Sequence, residues 1–367
     1  MDELNAIEQS NNRTMKQDDV AAAPQAGQTW HLEWAYGELD VHARGGMLGG
    51  VRLKVGPEQW IRPFYEAPWI GAGLPCEPAL LEHLRSEFVC LPFGGGYAAD
   101  AVVEHWRPSM TAENAEGERE RTDDALPHGD CCVADWTLVN RTATGITIAV
   151  DYPESSPIAR LTRTVQCDPA SAAIEFSLSV ESRRMARRPM GLHPNIALPE
   201  LAGALHIDPG EFRFGVVHPA GPETGVSRAA PGGVFEQLAA VPLAAGGDAR
   251  FDRLPFAYDT EEILQLCGTD GVVSLFNDEE KTVYRLTWDA SVLPSLLLWM
   301  SNRGRAAAPW NGRNLCLGVE PVASAFDLGT GAALAANPIN ERGVATAITL
   351  DPAKPTTIRY RFSAAHQ

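Results

Sequence analysis

Apolar and polar residues alternate along much of this chain. In AIEFSLSVES, residues 173–182, Ile174, Phe176, Leu178 and Val180 fall on one side, and Glu175, Ser177, Ser179 and Glu181 fall on the other. In TTIRYRFSA, Ile358, Tyr360 and Phe362 alternate with Arg359 and Arg361. A period of two marks an antiparallel strand covered on one face. Further strands are expected at Gly145–Tyr152, Arg160–Cys167, Ile263–Leu266, Val272–Phe276, Thr282–Trp288, Ser295–Met300, Leu315–Val319 and Ala345–Leu350. Clusters of Gly, Pro, Asn and Asp separate them and supply turn conformations. Helical spacing is almost absent; EPALLEHLRSEF, with Leu80, Leu81 and Leu84 on one side, predicts one short helix. With no internal repeat and no long linker, the expected architecture is all-β. A polar, disordered tail over residues 1–28 precedes one large sandwich of antiparallel sheets over residues 29–367.

Composition narrows the function classes. Of the 367 residues 45% are apolar, enough for a large core, and the net charge is −17. That charge argues against nucleic acid and anionic lipid as partners, because phosphate contacts need clustered Lys and Arg. No apolar run approaches the roughly 18–20 residues of a membrane helix. The N-terminal stretch lacks the basic and apolar regions of a secretory signal. The seven cysteines are odd in number, scattered, and free of Cys-x-x-Cys spacing. They fit free thiols in a reducing cytoplasm, with no zinc site. The charged run Glu113–Asp124 reads as a solvated loop, or as a lid, since it leads into His128.

Four polar residues stand in apolar or turn-forming frames: Arg85, His128 in ALPHGDCCVADWTL, His193 in MGLHPNIALP, and Glu320 in LCLGVEPVASAFDLG. Glu320 follows an apolar strand-like run and precedes a proline expected to end regular pairing. A carboxylate buried there is either paired or functional, because desolvation raises its pKa unless a partner offsets it. Taken singly, His193 also reads as a satisfied core histidine, His128 as part of a turn, and Arg85 as a helix-end cap.

In order, these elements resemble the aldose 1-epimerase (galactose mutarotase-like) superfamily from about Trp30 to the C-terminus. The matches are Arg85 before CLPFGG, PHGDCCVADWTL, GLHPNIAL, WDASVLPSLLLWMSN ending at Asn302, and LGVEPV. The resemblance implies a β-supersandwich with few short helices and a sugar site in a cleft on one sheet. It also implies an isomerase that interconverts the anomers of an aldose or sugar phosphate without a cofactor or metal. By the same resemblance Glu320 is the base and His193 the acid, while His128, Arg85 and Asp259 bind the sugar.

Several positions depart from the family pattern. Arg85 is followed by Ser-Glu-Phe, which allows displacement or pairing with Glu87, and Asn195 replaces an aromatic residue. Glu261 competes with Asp259 for the acidic binding position. Asp130, Cys131 and Cys132 read as the start of a strand. Trp299 is expected in the core and Trp310 in the cleft. Arg183, Arg184, Arg187 and Arg188 form either a solvated hairpin loop or a handle for an anionic sugar. The competing functional readings are a non-catalytic carbohydrate-binding or regulatory protein, and an isomerase or lyase acting on a uronic sugar. The sequence does not define an oligomeric state.

Overall fold

A computed structural model describes residues 27–111 and 126–367. The expected tail, apart from its last two residues, and the charged run Glu113–Asp124 lie outside the described residues.

Two large antiparallel sheets dominate. The nine-stranded sheet runs, edge to edge, through Arg253–Leu254, Leu205–Asp208, Val272–Asn277, Thr282–Trp288, Thr356–His366, Ala173–Ser182, Ile158–Cys167, Gly145–Asp151 and Thr137–Arg141. The eight-stranded sheet runs through Val234–Phe235, Phe214–Val217, Thr260–Cys267, Ser295–Asn302, Leu315–Ala323, Met190–Leu192 and Val89–Cys90, and Asn195–Ala197 also pairs with Leu315–Ala323. A four-stranded sheet, from Thr29–Trp34 to Trp60–Ile61, precedes them in the chain.

The alternation read from the sequence places the core. Ile174, Phe176, Leu178 and Val180 are buried together with Ile358, Tyr360 and Phe362 on the paired strand. Each such side chain contributes about 1.5–3 kcal/mol on leaving water. Ile196 and Val319 of the eight-stranded sheet face Leu275, Tyr284, Leu286 and Phe362 of the nine-stranded one.

Three local expectations are corrected. The leucine-rich segment forms only a 3-10 helix, Ala79–His83, because Pro78 and an extended Leu84 bracket it. Asp130–Cys132 is a 3-10 turn rather than a strand start. Pro321 does not end its strand, which continues to Ala323. The proline is tolerated because the neighbouring chain is interrupted there. Met190–Leu192 pairs at Val322 and Ala323, whereas Asn195–Ala197 pairs at Cys316 to Gly318. His193 and Pro194 fill the gap, so the missing N–H of Pro321 removes no ladder bond.

Candidate active site

That interruption positions the first two site residues. Where the pairing lapses, His193 faces Glu320, with Nε2 at 3.5 Å from Oε1. The His193 backbone is held by its N–H to the Phe88 carbonyl at 2.8 Å. The Phe88 ring stacks on the imidazole at a centroid distance of 4.5 Å. Glu320 has room to fold along its own strand because Gly318 lacks a side chain. A Cβ there would lie 2.3 Å from Glu320 Oε1.

His128 completes the cluster, its ring edge-on to His193 at 5.6 Å and to Phe93 at 5.0 Å. Its backbone is left-handed, at φ 62°, and the next residue, Gly129, is too, at φ 83°. A Cβ on Gly129 would stand 1.9 Å from the Leu91 carbonyl oxygen, so the glycine is a steric requirement of this turn.

These residues line a cavity of about 380 Å³ together with Phe88, Phe93, Tyr97, Trp299, Arg305, Trp310 and Asp327. That volume lies within the range of about 300–1,000 Å³ common for small-ligand pockets. The two tryptophans meet edge to face at 5.9 Å, and the Arg305 guanidinium lies 4.8 Å from the Trp310 ring centroid. Trp299, expected as core filling, is buried but presents its surface to the cavity.

Burial sets the ionisation of the site. Desolvation raises the Glu320 carboxyl well above the ordinary range, and the charge of Asp327 adds to this. Burial lowers His193 well below 6.5, with His128 contributing, and it lowers His128 to about 4. Asp327 moves the other way. Burial opposes its charge, but His218, His128 and Tyr97 hold its carboxyl below the usual value. Burial thus favours the protonated form of Glu320 and the neutral form of His193, while the neighbours of Asp327 favour its ionised form.

Two expected binding residues lie elsewhere. Leu84 faces the cavity, so Arg85, next along an extended segment, points the opposite way. Its guanidinium sits 2.8 Å from the His42 ring, and its Nε donates to the His83 carbonyl at 3.2 Å. Nor does it pair with Glu87, which binds the buried Arg163 and accepts from Tyr360 Oη at 2.8 Å. Asp259 is exposed in the bend before its strand. Glu261, two residues on, is fully buried and accepts from Trp299 Nε1 at 2.6 Å, Ser301 Oγ at 2.8 Å and Arg305 Nε at 3.1 Å. The arginine cluster also lies away from the cavity. Arg183 and Arg184 bond backbone carbonyls at residues 152–158, and Ala186–Arg188 forms a strand against Ile348–Leu350.

Asp327, His218, Tyr97 and Arg305 were not singled out from the sequence. Asp327 in VASAFDLG and His218 in FGVVHPAG carry the same signal as Glu320, a lone polar residue in an apolar frame. Among the described residues, no group of three or more His, Cys, Asp or Glu is placed to hold a metal ion. No helix there is long and apolar enough to cross a membrane.

No protein-family model and no curated protein matches the sequence. Solved structures do match its fold. A candidate aldose 1-epimerase from Escherichia coli K12 superposes with a TM-score of 0.61 at 15% identity, over 93% of this chain and 99% of that one. An aldose epimerase homologue from C. elegans gives 0.59 at 10% identity, over 92% and 99%. A galactose mutarotase-like protein from Lactobacillus casei gives 0.53 at 12% identity, over 92% and 100%. The chain thus has the galactose mutarotase-like fold, as the ordered motifs implied.

Proposed function

We propose that the protein is an aldose 1-epimerase-like enzyme that interconverts the α and β anomers of a sugar through His193 and Glu320. The observation that carries this reading is the close approach of these two groups, one imidazole and one carboxyl, in a cavity lined by two tryptophans. Ring opening needs a base to take the proton of the anomeric hydroxyl while an acid protonates the ring oxygen. The C1–O5 bond breaks as the carbonyl forms, the aldehyde turns about C1–C2, and closure on the other face reverses both transfers. Every proton is returned, so the cycle needs no co-reactant.

On this reading the pair shares one proton near neutrality, and burial favours its place on Glu320. In that form Glu320 is the acid and His193 the base. The reciprocal assignment, with Glu320 as base and His193 as acid, has the same proton count and differs by one transfer across the pair. Both therefore share one pH dependence. Trp299 and Trp310 supply apolar surface for the sugar's C–H face, and His128 and Arg305 are the hydroxyl ligands, with Glu261 behind the wall holding Trp299 and Arg305 in place. The test is saturation-transfer NMR of anomer exchange over neutral aldoses, hexose 6-phosphates and hexuronates. Acceleration of at least one sugar beyond the buffer rate is expected. No acceleration of any of them would overturn the reading in favour of a binding protein on the same fold.

A further inference from the structure

The cavity contains a second carboxylate that the His193–Glu320 pair does not use. Asp327 lies just beyond the strand Leu315–Ala323, on a segment fixed by Gln265. The Gln265 amide donates to the Ser324 carbonyl at 2.8 Å and accepts from the Phe326 N–H at 2.9 Å. The Asp327 carbonyl in turn accepts the N–H groups of Gly95 and Gly96 at 3.1 and 3.2 Å. The backbone around the carboxylate is therefore tied down on both sides.

The carboxylate itself is bracketed. Oδ1 lies 2.8 Å from His218 Nε2, and Oδ2 accepts from Tyr97 Oη at 3.1 Å. His218 Nδ1 accepts the Ala220 N–H at 3.1 Å, which places the ring hydrogen on Nε2, pointing at Asp327. His218 is wholly buried, whereas a quarter of the Asp327 side chain, 25%, remains exposed, and the residue lines the cavity. Two donors behind leave acceptor sites free in front, the arrangement that suits a substrate hydroxyl.

Among the described residues that line the cavity, the charges do not cancel Asp327. The cation on the cavity wall, Arg305, is matched by Glu261 at 3.1 Å. None of Arg183, Arg184, Arg187 and Arg188 is among the described residues that line the cavity. Negative potential in a concave, water-poor space disfavours a second anion strongly, because low-dielectric walls focus the field.

We propose that Asp327, held by His218 and Tyr97, is a specificity-determining residue that accepts hydrogen bonds from the hydroxyls of the bound sugar and excludes sugars carrying a phosphate or carboxylate. The inference rests on the sugar-binding reading of this site.

The test compares binding of glucose and galactose, their 6-phosphates and the corresponding uronates by NMR titration, using the wild-type protein, Asp327→Asn and Tyr97→Phe. Anomer exchange is recorded in the same samples. The wild type is expected to bind a neutral sugar at least ten-fold more tightly than its charged counterparts. Asp327→Asn should weaken the neutral sugar about ten-fold and narrow that preference at least five-fold, with Tyr97→Phe in between. Equal wild-type affinity for neutral and charged sugars would overturn the proposal, as would an Asp327→Asn protein whose preference is unchanged. If Asp327→Asn fails to fold, Tyr97→Phe decides: a narrowed preference supports the role and an unchanged one overturns it. Exchange without charge preference would sink this inference and leave the epimerase reading standing. Preferential binding without exchange would do the reverse, and a protein that binds none of these sugars would remove both.

Discussion

The nine-stranded and eight-stranded sheets follow the same antiparallel pairing rules but treat their outer faces in opposite ways. In the first, outward residues such as Glu175, Arg359 and Glu181 reach solvent, and the strands keep a clean alternation. In the second, Thr260–Cys267 and Ser295–Asn302 are buried at every position. Their outward polar side chains have become fasteners and site groups. Gln265 holds the segment that carries Asp327, Asn302 holds the Phe256 N–H at 3.0 Å and the Tyr258 carbonyl at 2.6 Å, and Glu261 orients Trp299 and Arg305. Covering a sheet on both faces encloses a cavity where a carboxyl can stay protonated and an imidazole neutral. The open sheet keeps one face to solvent, and the covered one carries the candidate site.

This contrast can be broken at the contact between the sheets. The ion pair of Glu87 with Arg163 is buried, and Tyr360 adds a hydrogen bond to the same carboxylate. Glu87→Ala strands a guanidinium in the core and should cost about 3–5 kcal/mol. A thermal melt should show a fall in Tm of at least about 6 °C. A shift below about 2 °C would mean that the sheets do not depend on this pair.

Within the covered sheet the expected effects fall on activity. Gly318→Ala places a methyl against the Glu320 carboxyl while leaving the strand paired. Anomer exchange should fall about 10–100-fold, with only a small change in Tm, because misplacing one catalytic group by an ångström has that kind of cost. Unaltered exchange would show that the carboxyl position seen here is not the working one.

The buried ionisation states are open to direct measurement. Folding lowers His128 from 6.5 to about 4 and His193 in the same direction. Both rings should therefore stay neutral as pH falls from 8 to 5, and their NMR shifts should stay flat. The contribution of His128 to stability is complete above pH 6.5 and is lost as pH falls toward about 4, because the unfolded chain takes up that proton first, and that of His193 is lost in the same direction. A midpoint near 6.5 for either ring would contradict the burial of these rings. The smallest effect is expected for Asp259→Ala and Arg85→Ala, which should each leave kcat/KM for anomer exchange within about two-fold of wild type, since neither side chain lines the cavity.

The same contrast explains what could be read in advance. AIEFSLSVES and TTIRYRFSA announce their strands because water on one side forces polar residues onto it. TEEILQLC and SLLLWMSN show no such alternation, so their faces could not be assigned. The acidic position was accordingly left between Asp259 and Glu261; Asp259 is exposed, and Glu261 is buried behind Trp299 and Arg305. His128, His193 and Glu320 were legible as polar residues in apolar frames, and their convergence came from the order of motifs. The position of Arg85 followed from a parity set by Leu84, which sequence spacing alone could not fix. Asp327 and His218 were hidden because a turn residue and a bracketed carboxylate look alike until the chain closes on itself.

The central claim is that Glu320, on the strand beside the broken pairing, exchanges the proton that opens the ring. Anomer exchange of the best sugar should be compared between wild type and Glu320→Gln by saturation-transfer NMR, with Tm recorded on both. The account predicts a loss of at least about 100-fold with the fold intact. Exchange within a few-fold of wild type would remove Glu320 from the chemistry.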